Sequence, residues 1–293
     1  MNFVDYHKSA DADLAVRAAT FLTDVATAEA AGRLGQPNSP LCLLADGDSW
    51  FDYPLNGLIP GLSTTDIIAQ LPDCCHNKPL IHNLAQHGDG TTAALGLARI
   101  QSMIAAIKAA PKAGQFDAIL FSAGGNDVVG DPFYIWLQEA ARVGGDPTQA
   151  LDPVRFGAVL HLVEAAYLDL LAFRDEYLPG APIFTHAYDF AFPDGRGVCT
   201  VGPWLKPSLD FCGWTDPAVA KQIVRDALTQ LANILKKLAA VPANKLVVVP
   251  TQGTLTQHSE WDNELHPKPP GFKLMAAKFQ AALAAYPGFA GRI

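Results

Sequence analysis

Short apolar runs recur along the chain, and polar or amphipathic stretches separate them. Five of these runs have the length and aliphatic character of buried strands, at 41–45, 79–84, 116–122, 182–186 and 245–250. Helical patterns lie between the runs. Strands that alternate with helices predict a parallel sheet covered by helices on both faces, in a doubly wound α/β fold.

Apolar residues at helical spacing indicate where the helices lie. The predicted helices are 11–31, 91–110, 153–177, 217–240 and 271–285. The first of them precedes every strand and is expected to pack against the rest of the fold, away from any site. No internal repeat, low-complexity tract or linker divides the chain. Residues 1–293 are therefore predicted to form a single domain.

One segment, 190–214, interrupts this alternation. It contains too many glycines and prolines for a long helix. It is also rich in large aromatic residues, namely Phe192, Trp204, Phe211 and Trp214. Loops of this length are usually functional or disordered. Two interpretations remain open: a flap with a small core of its own, or a lid or pocket wall at the edge of the sheet.

Composition narrows the possible partners. The chain has 293 residues, of which 49% are hydrophobic and 17% are charged, so it can bury a large core. A net charge of -8 and a pI near 5.4 argue against nucleic acid or an anionic membrane as the main partner. No uninterrupted apolar stretch approaches about 20 residues, so no membrane span is expected. The oligomeric state is not predicted.

The N-terminus and the cysteines favour a cytoplasmic location. Residues 1–10 contain no apolar run typical of a secretory signal. The 5 cysteines lack metal-ligand spacing and are odd in number, as expected of reduced thiols. Cys199 and Cys212 flank one loop and could pair, although free thiols are favoured. A secreted protein whose signal had been removed would show the same pattern, so secretion stays open.

The candidate chemistry lies in the turns that follow the predicted strands. Ser49 comes directly after the first strand, where open α/β sheets bind their ligands. Gly88 and Asn126 follow the second and third strands, and His266 lies beyond the fifth. A serine, a histidine and two oxyanion donors are the components of an acyl-transfer hydrolase.

Each of these residues also has a purely structural interpretation. Ser49 could simply cap a helix that begins there. The free N–H groups at the start of such a helix would also favour a negative charge beside Ser49. Gly88 could be an ordinary turn glycine, and Asn126 could form an Asx turn. The order of the four residues along the chain, each after a strand, favours the chemical interpretation.

At this point the chain resembles a known family. The blocks are Gly47-Asp48-Ser49-Trp50, Gly88-Asp89, Gly124-Gly125-Asn126-Asp127 and His266-Pro267. They resemble, in order and across about 220 residues, the four signature blocks of the GDSL or SGNH hydrolases. The resemblance implies a flavodoxin-like three-layer α/β/α sandwich with a five-stranded parallel sheet, and no metal or cofactor. It also implies a Ser49 nucleophile, a His266 base, and an oxyanion hole formed by Ser49, Gly88 and Asn126.

One position departs from the family pattern. The family usually places an aspartate three residues before the histidine, where this chain has Asn263, with Asp262 one position earlier. The carbonyl oxygen of Asn263 could orient the imidazole, and Asp262 could do so if the loop bulges. Glu264 and a backbone carbonyl are more remote alternatives. The sequence does not decide between Asn263 and Asp262.

The sequence therefore predicts a serine hydrolase that cleaves small-molecule carboxylic esters. Trp50, His87, Trp204 and Trp214 are candidate pocket residues, whereas His186 is expected in or beside the core. Carbohydrate O-acetyl esterase and thioesterase activities fit the same residues. Two other classes stay open: a binding module without turnover, and a Mg²⁺-dependent phosphatase suggested by Asp46-Gly47-Asp48. The Gly-x-Ser-x-Gly elbow of the α/β-hydrolases is absent.

Overall fold

The centre of the molecule is a sheet of five parallel strands in the order β2-β1-β3-β4-β5. The strands are β1 (Cys42–Gly47), β2 (Leu80–Asn83), β3 (Ala118–Ser122), β4 (Ile183–His186) and β5 (Leu246–Val249). The structure is a computed structural model that describes residues 3–53, 65–130, 132–197 and 202–293. The strand order changes direction between β1 and β3. The carboxyl ends of these two strands therefore border the crevice in which such sheets bind ligands.

Helices cover the sheet. They are α1 (Phe3–Ala30), α2 (Ile67–Cys74), α3 (Thr91–Ala94), α4 (Leu97–Ala109), α5 (Gly125–Val129), α6 (Phe133–Trp136), α7 (Pro153–Tyr177), α8 (Lys206–Phe211), α9 (Pro217–Ala239) and α10 (Pro269–Ala285). Short 3₁₀ turns lie at Lys112–Gly114, Ala140–Val143, Pro147–Gln149, Pro242–Asn244 and His258–Glu260.

Two neighbouring residues of β4 show the three layers. The Thr185 hydroxyl lies 2.8 Å from the Tyr167 hydroxyl of α7. The next residue, His186, packs edge-on against Phe279 of α10, with ring centroids 5.5 Å apart. Successive side chains of a strand point to opposite faces, so α7 and α10 cover opposite sides of the sheet. The predicted α/β/α sandwich with five parallel strands is confirmed.

The helices differ most from the prediction in four places. α1 begins at Phe3, eight residues before the predicted start at 11. The predicted helix 91–110 is two helices, α3 and α4, because Gly96 is extended with ψ of 157° and begins the second one. α2 was not predicted, since it is short and contains Pro72. α8 forms within the segment 190–214, where breakers had argued only against a long helix.

Among the described residues, α7 is the one helix that is long enough and apolar enough to cross a membrane, judged by length and composition alone. Its buried face includes Val163, Tyr167 and Leu170. The Tyr167 hydroxyl donates to the Ala123 carbonyl oxygen at 2.9 Å, just beyond β3. These contacts are those of a core helix packed on the sheet.

Candidate active site

Ser49 lies in a tight turn directly after β1. Gly47 has a φ of 143°, and a Cβ there would lie 2.2 Å from the Ser122 carbonyl oxygen. Glycine therefore allows the end of β1 to approach β3 this closely. The Asp48 carboxylate accepts the Trp50 N–H at 3.0 Å and closes an Asx turn around Ser49. The helix considered at this point is not present, because residues 48–52 form a turn.

The Asp48 side chain also connects this turn to the neighbouring strands. Its carboxylate accepts hydrogen bonds from the Tyr188 hydroxyl at 2.5 Å and from the Ser122 hydroxyl at 2.8 Å. Burial raises the pKa of Asp48 to about 7, although these donors act in the opposite direction. The backbone that carries Ser49 is thereby joined to β3 and to the residues after β4.

Ser49 and His266 meet across the end of the sheet. The Ser49 Oγ lies 2.7 Å from the His266 Nε2. On the other side of the ring, the His266 Nδ1 lies 3.0 Å from the Asn263 Oδ1. Ser49, His266 and Asn263 are all buried. The arrangement is that of a nucleophile, a base and a group that orients the base.

The neighbours of Asn263 determine the tautomer of His266. The Asn263 Oδ1 also accepts the backbone N–H groups of Leu265 at 2.9 Å and His266 at 3.0 Å. Because a backbone N–H can only donate, this atom is the amide oxygen, and the His266 Nδ1 must carry the proton that it accepts. The Nε2 lone pair is then directed at the Ser49 hydroxyl. Burial, with a smaller contribution from the charge of His87, lowers the pKa of His266 to about 3.

Asp262 has a different partner. Its carboxylate accepts a hydrogen bond from the Tyr53 hydroxyl at 2.8 Å. The Tyr53 hydroxyl in turn accepts the amide N–H of Asn263 at 3.2 Å. Of the two residues left open by the sequence, Asn263 reaches the imidazole, and Asp262 contacts the tyrosine. Tyr53 was not singled out from the sequence, because it belongs to no recognisable motif.

Asn126 lies in the same cavity as Ser49 and His266. Its side-chain nitrogen donates to the Asp89 carbonyl oxygen at 2.9 Å. An amide nitrogen carries two hydrogens, so the second can be donated to a ligand in the cavity. The neighbouring Gly125 lets α5 approach the Tyr188 ring, which a Cβ would meet at 2.6 Å.

Gly88 and His87 do not belong to the lining of this cavity within the described part of the chain. Gly88 occupies a turn with φ of 85°, a conformation that favours glycine. The His87 Nδ1 lies 3.1 Å from the Asp52 carboxylate, which also accepts from Arg17 at 2.6 Å. The oxyanion role of Gly88 and the pocket role of His87 stay predictions.

The cavity beside Ser49 has an apolar wall. Its apolar side chains are Trp50, Val129, Ala191, Leu228 and Leu265. Asp189 also lines the cavity, and its carboxylate accepts the backbone N–H groups of Gly253 at 2.5 Å and Leu255 at 2.7 Å. This carboxylate is thus engaged in holding the loop after β5. The cavity is suited to an uncharged group beside Ser49.

The aromatic segment, residues 190–214, is attached to the histidine loop by Glu264. The buried Glu264 carboxylate accepts backbone N–H groups from the segment. The donors are Gly195 at 2.9 Å, Trp204 at 2.6 Å, Leu205 at 2.8 Å and Lys206 at 3.0 Å. Such a cluster of donors can hold a carboxylate without a cationic partner. Sequence analysis named Glu264 only as a remote candidate for orienting His266, and it did not predict this structural role.

The two candidate tryptophans of the segment lie in different places. The Trp204 ring meets the His266 ring edge-on, with centroids 6.0 Å apart. Trp214 is buried elsewhere and donates its indole N–H to the Gln138 carbonyl oxygen at 2.8 Å. Trp204 therefore adjoins the site, whereas Trp214 packs the segment against the fold. The predicted alternative of a Cys199–Cys212 pair involves Cys199, which lies outside the described residues.

The phosphatase alternative finds little support in the acidic residues after β1. Asp46 is fully buried, and its nearest cation is Arg99, whose Nε lies 3.7 Å away. Asp48 is engaged by hydroxyl and backbone donors, as described above. Within residues 3–53, 65–130, 132–197 and 202–293, no group of three His, Cys, Asp or Glu side chains is arranged to hold a metal ion.

Solved structures that are similar to this chain include lipases and esterases. The lipase Lip_vut3 from a goat rumen metagenome superposes with a TM-score of 0.52 and 16% identity, over 83% of this chain and 97% of that one. A member of the lipolytic G-D-S-L family from Veillonella parvula has a TM-score of 0.46 and 14% identity, over 83% of this chain and 98% of that one. A carbohydrate esterase of family 3 from Talaromyces cellulolyticus has a TM-score of 0.44 and 12% identity, over 83% of this chain and 96% of that one. No family model and no curated protein sequence matches the chain. The fold that the resemblance implied is confirmed.

Proposed function

We propose that this protein is a serine hydrolase that cleaves carboxylic esters. The observation that carries the proposal is the line of hydrogen bonds from Asn263 through His266 to Ser49, which opens on a cavity shared with Asn126. A neutral imidazole with its free lone pair on a serine hydroxyl is the arrangement that activates this nucleophile.

The reaction proceeds in two halves. The Ser49 Oγ attacks the ester carbonyl carbon while the His266 Nε2 takes its proton, and the carbonyl oxygen becomes an oxyanion. The Asn126 amide and the Ser49 backbone N–H donate to that oxygen, with the predicted Gly88 N–H as a further donor. His266 then protonates the leaving alcohol. In the second half, His266 deprotonates a water molecule that attacks the acyl-Ser49 ester and releases the acid.

The apolar wall of the cavity supports a small uncharged acyl group on the substrate. Val129, Ala191, Leu228 and Leu265 offer no partner for a charge, and Asp189 would repel an anion. The alcohol portion is less defined by the described residues. A panel of p-nitrophenyl esters, an acetylated sugar and an acyl thioester would therefore order the possible substrates.

A fluorophosphonate probe tests the proposal directly, because it phosphonylates only an activated serine. The purified protein is treated with the probe, digested and analysed by mass spectrometry, and turnover of p-nitrophenyl acetate is measured in parallel with and without EDTA. Modification of Ser49 together with EDTA-resistant turnover is expected. Absence of modification at Ser49, or activity that requires Mg²⁺, would refute it. Ser102→Ala, which removes an exposed hydroxyl on α4, is a matched control.

A further inference from the structure

Beyond Asn263, the hydrogen bonds continue to a carboxylate at the surface. The Asn263 amide nitrogen donates to the Tyr53 hydroxyl, which donates to the Asp262 carboxylate. Every donor in this series has a defined direction. The Asn263 oxygen is fixed by two backbone N–H groups, its nitrogen must therefore face Tyr53, and the tyrosine has one proton to pass on to Asp262.

We propose that Tyr53 and Asp262 are positioning residues for the His266 base. In this relay, the negative charge of Asp262 polarises the Tyr53 hydroxyl and, through it, the Asn263 amide. The Asn263 carbonyl oxygen then becomes a better acceptor for the His266 Nδ1 proton. Chains of hydrogen bonds strengthen one another in this way, and the inner end of this chain, Asn263 and His266, is buried. No proton moves along the chain, and only its polarisation changes.

The geometry gives the relay a clear function in the reaction. When His266 takes the Ser49 proton, the ring becomes positive at a buried position, and the neutral Asn263 amide alone stabilises it weakly. A carboxylate in direct contact would do so more strongly. Asp262 supplies that charge at a distance of two hydrogen-bonded groups. The Tyr53 ring also packs edge-on against the His266 ring, with centroids 4.9 Å apart, and holds its plane.

This inference rests on the proposed function, but one readout does not depend on activity. In histidine labelled with ¹⁵N, the hydrogen-bonded Nδ1 proton of His266 gives a downfield NMR signal whose position reports the strength of its acceptor. Asp262→Asn and Tyr53→Phe should each move this signal upfield. Tyr134→Phe and Asp210→Asn, at exposed positions outside the relay, are the matched controls and should leave it in place.

Kinetics supplies the second readout. Each of the two changes should lower kcat about 10-fold, the factor expected for loss of one hydrogen bond to a charged group, and leave KM nearly unchanged. Because both break the same relay, the double variant should be no slower than the slower single variant. Circular dichroism checks that each variant is folded.

The outcomes separate the relay from the hydrolase proposal. An upfield shift with coupled losses in kcat supports the relay. An unmoved signal, or losses that multiply in the double variant, overturns it. If the fluorophosphonate probe fails to modify the parent protein, the hydrolase proposal is wrong, and the NMR signal alone still decides whether the relay exists.

Discussion

Two serine–histidine pairs are buried in the described part of the chain, and their comparison shows what suits one of them to the proposed reaction. His266 lies 2.7 Å from Ser49, and His186 lies 2.9 Å from Ser122. Burial lowers the pKa of each histidine to about 3. Distance, burial and charge state therefore do not distinguish the two pairs.

The tautomer distinguishes them. The His186 Nδ1 accepts the Tyr188 backbone N–H at 3.2 Å, so its proton is on Nε2 and is donated to Ser122. The Ser122 hydroxyl gives its own proton to Asp48. His186 thus has no lone pair directed at its serine, whereas His266 has one. Backbone N–H groups set both tautomers: Tyr188 acts directly on His186, and two amides act on His266 through Asn263.

Removal of the two serine hydroxyls gives the largest contrast between the pairs. Ser49→Ala should lower ester turnover by several orders of magnitude, as is usual when a triad serine is lost, and should abolish fluorophosphonate labelling. Ser122→Ala should keep labelling at Ser49. Its main cost should be about 1–3 kcal/mol of unfolding free energy, because Asp48 loses a buried donor, as measured by urea denaturation. Loss of labelling in Ser122→Ala would contradict the comparison.

Asn263 tests whether the acceptor on Nδ1 matters. Asn263→Ala removes the group that fixes the reactive tautomer and should lower kcat about 100-fold, less than the loss known for a triad aspartate changed to its amide. Asn263→Asp keeps an acceptor at the same place and should retain activity. Its charge should raise the pKa of His266. Turnover of Asn263→Ala close to that of the parent protein would show that a Ser49–His266 dyad is sufficient.

The surroundings of His266 should determine selectivity. Trp204→Ala opens the side of the site next to the imidazole and should change the ratio of kcat/KM between butyrate and acetate esters about 10-fold. Trp214→Ala should leave this ratio unchanged and lower only the melting temperature, because its indole packs away from the site. If both variants keep the butyrate-to-acetate ratio of the parent protein, segment 190–214 is a structural flap.

The smallest expected effect is that of acid. A histidine of ordinary pKa would lose about 20-fold of its neutral form between about pH 6 and pH 4.5. Since the pKa of His266 is lowered to about 3, the neutral base persists across this window and is lost only as the pH falls through 3. kcat/KM should therefore stay nearly constant there. Asp48, with a pKa raised to about 7, stays mostly protonated in this range. An acid limb near pH 6.5 would show that His266 is solvated.

The sequence predicted most of the fold because the three central strands, β1, β3 and β4, are buried on both faces. Runs such as 118–121 stay apolar throughout and do not show the alternation of an amphipathic helix. The start of α1 was missed by eight residues, since residues 3–10 have no clear helical periodicity. α2 was missed because its length and Pro72 are atypical of a helix.

The sequence predicted which site residues follow the strands, but not the contacts that depend on the loops. Ser49 and His266 could be expected to meet, because parallel strands bring their carboxyl ends to one edge. The choice between Asn263 and Asp262 depends on the turn from 261 to 267, where Trp261 and Pro267 form an isolated bridge. A shift of one residue in that turn would change which side chain faces the His266 ring. The reversed tautomer of His186 likewise depends on a backbone N–H that no residue type encodes.

The attachment of the aromatic segment to Glu264 has a consequence for turnover. The glutamate lies two residues before His266, and its carboxylate holds the backbone of Trp204 and the first residue of α8. Opening this segment as a gate would pull on the loop that carries the base. Any displacement of this backbone would therefore also displace His266 from Ser49. The position of the segment and the geometry of the Ser49–His266 pair are coupled through one carboxylate.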